Sequence, residues 1–115
     1  MKILIYDSSK GFSRFLKTNL SKKHELHICT NVHQLSPYFE KDFDCAFINF
    51  NDIIDLKYLI IIFHQIKKIF VTTNLQDVKE TILTTNSIIL LELEENKSVL
   101  LNKINFNLEI MEKCV

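Results

Sequence analysis

Glycine and proline are almost missing from this 115-residue sequence, with one of each, Gly11 and Pro37. Their scarcity excludes collagen-like repeats and the flexible or stiff linkers that join domains. Arginine appears once, as Arg14, among fourteen basic residues, and fourteen acidic residues bring the formal net charge to zero. A charge-driven nucleic-acid binder needs a basic excess and forked guanidinium contacts, and this chain offers neither. The three cysteines, Cys29, Cys45 and Cys114, are an odd number without close spacing. That argues against a disulfide framework or a zinc site and fits a reducing cytoplasm, with Cys45 a small core residue. Long apolar runs are missing too. Ile3 to Tyr6 ends at the carboxylate of Asp7, and Tyr58 to Phe63 is flanked by Lys57 and His64. Neither is long enough for a secretion signal or a membrane span.

What the chain has is apolar content, 47% of its residues. Disorder requires low hydrophobicity and high net charge, so it is excluded. Size scaling gives a folded surface of roughly 6,600 Å² against roughly 20,000 Å² unfolded, enough burial for one domain over residues 1–115. The hydrophobic pattern alternates between two periods. Lys2–Tyr6 reads as a buried strand. Phe12, Phe15, Leu16 and Leu20 then recur as a helix stripe, with Ser9 as the expected N-cap. Leu26–Thr30, Cys45–Phe50, Lys68–Thr73 and Ile88–Leu93 read as further strands. Between and after them come a helix with Ser36 as N-cap and Pro37 in its first turn, a helix over Asp55–Ile66, one over Gln76–Thr84 capped by Asn74, and a long one over Asn96–Lys113. Strands alternating with helices give an α/β fold, a parallel sheet covered on both faces by right-handed crossovers. Ligands in such folds sit beyond the carboxyl ends of the strands. The residues there are Asp7 and Ser8, Asn49 to Asp52, Thr72 to Asn74, and Glu92.

At this point the chain resembles the receiver domain of bacterial response regulators, over about residues 2 to 113. Lys2-Ile3-Leu4-Ile5-Tyr6-Asp7 is similar to the family's first strand, Asp42-Phe43-Asp44-Cys45-Ala46-Phe47-Ile48-Asn49 to its third, and Ile69-Phe70-Val71-Thr72-Thr73 to its fourth. Arg14-Phe15-Leu16 and Leu20 resemble its first helix. The resemblance implies a doubly wound, five-stranded parallel sheet of order 2-1-3-4-5 with five helices, the flavodoxin-like receiver topology. It also implies a phosphorylation pocket, and here the sequence departs from the family. Asp7 matches the first acidic position, but Ser8 stands at the second, Asn49 at the phosphate-accepting position and Glu92 at the position of the family lysine. Thr72 or Thr73 supplies the hydroxyl. An amide is no nucleophile for phosphoryl transfer, and one carboxylate in place of three makes a poor Mg²⁺ site. The implied protein is a degenerate, phosphorylation-independent receiver: no enzyme, no metal, no cofactor, acting as a protein–protein interaction module in cytoplasmic bacterial signalling or regulation.

Alternatives remain open. Asp52 or Asp55 is a candidate displaced acceptor, although both suit the cap of the next helix. The loop Ser8-Ser9-Lys10-Gly11-Phe12-Ser13 opens a helix and suits a phosphate, as in a flavodoxin-like small-ligand binder, although it reads first as a turn and a cap. His24 and His27 lack a third ligand and read, like His33 and His64, as surface residues. Glu92, Glu94 and Glu95 suit the positive end of the last helix. On that helix Leu100, Leu101, Ile104, Leu108, Met111 and Val115 form a core stripe. Val99, Phe106 and Ile110 form a second stripe roughly 150° away on a wheel of 100° per residue. The family resemblance implies dimerisation or partner docking on the fourth helix, fifth strand and fifth helix. That makes this stripe the expected site for a protein partner or a second copy, with no membrane and no direct nucleic-acid contact. The chain stops after this helix, so the expected signal leaves through a non-covalent partner.

Overall fold

The computed structural model describes residues 1–31, 34, 42–50, 66, 68–83 and 88–113. Five strands, β1 (Lys2–Asp7), β2 (Glu25–Cys29), β3 (Cys45–Phe50), β4 (Ile69–Thr73) and β5 (Ile88–Leu90), form one parallel sheet in the order β2-β1-β3-β4-β5. The three described helices are α1 (Gly11–Leu20), α2 (Gln76–Leu83) and α3 (Lys97–Lys113). The helices expected near Ser36 and over residues 55–66 lie outside the described residues, apart from Ile66, which is buried.

The two cores follow from the alternation of side chains along each strand. Ile3 and Ile5, Cys45 and Phe47, and Phe70 face the side covered by α1 and α3, where they meet Phe12, Leu16, Leu20, Leu100, Ile104 and Leu108. Leu4, Tyr6, Ala46, Ile48, Phe50, Ile69 and Val71 face the other side, which Val78 of α2 covers. Strands buried on both faces read as continuous apolar runs, and β1, β3 and β4 do so.

Several local expectations need correction. Lys10, not Ser9, is the N-cap of α1: the Lys10 carbonyl accepts the first helical hydrogen bond from Arg14 N–H at 3.2 Å. Lys10 sits in the left-handed region, with φ of 69°, and its side chain makes no capping bond. Asn74 does not hold the cap position of α2, because Leu75 C=O accepts the first helical bond, from Lys79 N–H at 3.0 Å. Leu75 N–H in turn donates to Thr73 Oγ1 at 3.1 Å. Strand β5 stops at Leu90 rather than Leu93; Leu91 N–H still bonds to Val71 C=O at 2.8 Å before the chain turns. Asn96 caps α3 instead of beginning it, taking Ser98 N–H on its side chain at 2.8 Å and Leu100 N–H on its carbonyl at 3.0 Å.

Candidate functional site

Parallel register brings three polar side chains into one row. Asp7 is the partner of Asn49 across β1 and β3, and Asn49 is the partner of Thr72 across β3 and β4. All three lie at the carboxyl ends of their strands and all are buried, with Asp7 and Thr72 at 0% exposure and Asn49 at 4%. One step earlier on the same face, Phe47 and Phe70 stack with ring centroids 4.4 Å apart. The row therefore rests on an apolar floor, where an unbonded polar atom would be destabilising.

Every atom of the row answers to that constraint. Asn49 Nδ2–H donates to Asp7 Oδ1 at 2.8 Å and to Ser9 Oγ at 3.1 Å. Thr72 Oγ1–H donates to Asn49 Oδ1 at 2.7 Å. Asp7 Oδ1 also accepts from Ser9 Oγ at 2.6 Å and Ser9 N–H at 3.1 Å, while Oδ2 accepts from Ser13 N–H at 2.7 Å. Burial pushes the Asp7 carboxyl pKa up, but the hydrogen bonds from Ser9, Asn49 and Ser13 together outweigh it and hold the group below its ordinary value. The carboxylate thus stays charged, with four donors aimed at it.

Sequence reasoning selected Asp7, Asn49 and Thr72, and the fold brings them together. It does not bring in the rest. Ser8 is exposed at the strand end. Thr73 points to the opposite face, where its hydroxyl accepts from Leu75 N–H. Glu92 makes no hydrogen bond to the row; it pairs with Lys79 of α2 at 3.3 Å. Asp52, Asp55, His33 and His64 lie outside the described residues. His24 and His27 go to different partners: His24 Nδ1 lies 3.1 Å from the Met1 amino group, and the His27 ring packs edge-on to Phe43 at 5.3 Å. Cys29 and Cys45 are buried, and burial pushes their thiols up to about 11 and about 12. Such thiols stay protonated at neutral pH and are unreactive.

Sequence reasoning places Ser9 and Ser13 in a loop suited to a phosphate or a cap but misses their bonds to Asp7, and it misses Lys79 as the partner of Glu92. For Ser9 the signal is present, since a serine two residues after an aspartate is the pattern of a side-chain turn, whereas Ser13 lies six residues from Asp7 and carries no such pattern. On α3, Val99, Phe106 and Ile110 are 54%, 63% and 44% exposed, and Leu93 adds a further exposed apolar residue. The core stripe is also where it was expected, with Leu100, Ile104 and Leu108 buried and Leu101 and Met111 half-buried; Val115 lies outside the described residues.

No family model and no curated protein matches this sequence. Solved structures do match its fold. The receiver domain of the Francisella response regulator 1452 superposes with a TM-score of 0.69 at 15% identity, covering 99% of this chain and 98% of that one. A CheY-like response regulator receiver domain protein from Methanospirillum hungatei gives 0.66 at 17% identity, covering 99% and 98%. The Vibrio cholerae chemotaxis protein CheY4 gives 0.63 at 15% identity, covering 90% and 95%. The chain has the fold of a receiver domain.

Proposed function

We propose that this receiver-like chain works without phosphorylation, as a cytoplasmic protein–protein interaction module in bacterial signalling or regulation, and that it is not an enzyme. One observation carries the reading: Asn49 occupies the centre of the buried row and is bonded on both sides, to Asp7 through its nitrogen and to Thr72 through its oxygen. In a working receiver, a carboxylate would stand there as nucleophile. The amide nitrogen has its lone pair delocalised and its hydrogens committed, so it attacks nothing. Asp7 by itself does not suffice for Mg²⁺, which wants several oxygen ligands in octahedral array, because its two oxygens already accept four hydrogen bonds.

The same bonds weigh against a flavodoxin-like phosphate site in the loop from Ser8 to Ser13. The amides of Ser9 and Ser13, which would cradle a phosphate, are bound to the Asp7 carboxylate. A phosphate entering there would meet a fixed negative charge. The partner surface in this reading is the side of the molecule formed by α2, β5 and α3, centred on Val99, Phe106 and Ile110. Exposed apolar residues on α3, and Leu93 just past the edge strand β5, favour a protein partner or a second copy.

The test is incubation with acetyl phosphate and Mg²⁺ followed by intact-mass measurement. The proposal expects no added phosphoryl group. A stable gain of one phosphoryl mass, on any aspartate including Asp52 or Asp55, would make the chain a working receiver with a displaced acceptor.

A further inference from the structure

A trough of about 480 Å³ runs between α1 and the first turn of α3. Phe15 and Leu101 form its apolar walls, and Arg14 and Lys97 stand at it, one from each helix. A second hollow of about 320 Å³ adjoins the first through shared Gly11, Phe15 and Lys97, and extends the apolar surface to Phe12 and Leu93. Among the described residues, no acidic side chain lines either hollow. Arg14 and Lys97 are exposed, and neither pairs with a described carboxylate.

Two cations that pair with no described carboxylate, facing one concavity over walls of low polarity, focus a positive potential into it. The guanidinium of Arg14 presents the fork that a planar carboxylate or a sulfonate edge accepts. The volume lies within the range of small-molecule sites, roughly 300–1,000 Å³, and is small for a folded partner. The trough is also distinct from the buried row, whose carboxylate is already satisfied. We propose that it binds a small anionic amphiphile, the acidic head between Arg14 and Lys97 and a flat apolar body against Phe15 and Leu101. This inference stands apart from the phosphorylation reading, which could fail without affecting it.

The test is a fluorescence titration of the full chain with anilinonaphthalene sulfonate and with its uncharged counterpart phenylnaphthylamine, mapped by amide NMR shifts. The expected result is saturable binding of the sulfonate with shifts at Gly11, Thr18, Lys97 and Ser98. The double variant Arg14→Glu/Lys97→Glu should weaken that binding by about tenfold or more, since two screened attractions become repulsions, at an unchanged melting temperature. The uncharged probe should bind more weakly and ignore the variant. Equal binding of the two probes, an unchanged Kd in the variant, or shifts centred on Phe106 would overturn the proposal. Should the reversal variant fail to fold, Arg14→Gln/Lys97→Gln takes its place, and an unchanged Kd there counts equally against the site.

Discussion

Asp7 and Asn49 are bonded to each other in a buried row and are satisfied by groups of the fold itself. A charged hydrogen bond contributes about 1.5–3 kcal/mol, and Asp7 accepts four. Asp7→Asn leaves one accepting oxygen where two are needed, so at least one donor would face an amide NH₂; we expect a loss of about 2 kcal/mol at neutral pH. The pH dependence follows from the lowered folded pKa of Asp7. The stability it contributes is fully present above the unfolded carboxyl value of about 3.9 and disappears as pH falls through the folded value. Urea midpoints of wild type and Asp7→Asn should therefore converge at acidic pH; a constant gap would place the effect elsewhere. Asn49→Asp would set a second carboxylate 2.8 Å from the first in a buried row. It should lower stability above pH 4 by about 2–4 kcal/mol without restoring phosphorylation. Repair should also need Ser8→Asp and Glu92→Lys, and the latter brings its charge against Lys79. Efficient phosphorylation of Asn49→Asp alone would show that Ser8 and Glu92 do not block the chemistry. Lys10 gives a smaller test: its left-handed backbone costs a lysine about 1–2 kcal/mol, partly offset in a variant by glycine's larger loss of chain entropy, so Lys10→Gly should raise stability by about 0.5 kcal/mol in denaturant titration.

At the scale of elements, α3 carries the sharpest division. One stripe, Leu100, Ile104 and Leu108, is buried, and the opposite stripe is open at Val99, Phe106 and Ile110. Its inner face is held to the sheet by packing and by Lys103 Nζ, which donates to the Leu90 carbonyl at 3.3 Å. Ile104→Ala should then cost about 2–5 kcal/mol in thermal or urea unfolding. Phe106→Glu, at 63% exposure, should leave the melting temperature nearly unchanged while abolishing self-association or partner binding in analytical ultracentrifugation and pull-down. Unfolding of Phe106→Glu would assign Phe106 to the core.

For the molecule as a whole, the sheet was legible because burial on both faces leaves uninterrupted apolar runs, and the order of strands and helices carried the topology. Asp7, Asn49 and Thr72 were legible as strand-end polar residues, but their joining was not. Register across three strands decides it, and a one-residue shift would have placed Thr73 in the row instead. Ser9 misled because its spacing before an apolar stripe suits a cap, yet the Asp7 carboxylate two residues earlier takes its hydroxyl. The partner of Glu92 was not legible, because Lys79 lies thirteen positions away on α2 and tertiary structure alone makes the pairing. The central claim is that the row is satisfied from within and takes neither cation nor phosphoryl group. It is tested most directly by following the Asn49 side-chain NH₂ and the Ser9 and Ser13 amides by NMR while Mg²⁺ is raised to about 10 mM, where a native-state site with sub-millimolar Kd would be saturated. The account predicts that these signals stay in place; saturable shifts centred on Asp7 and Asn49 would contradict it.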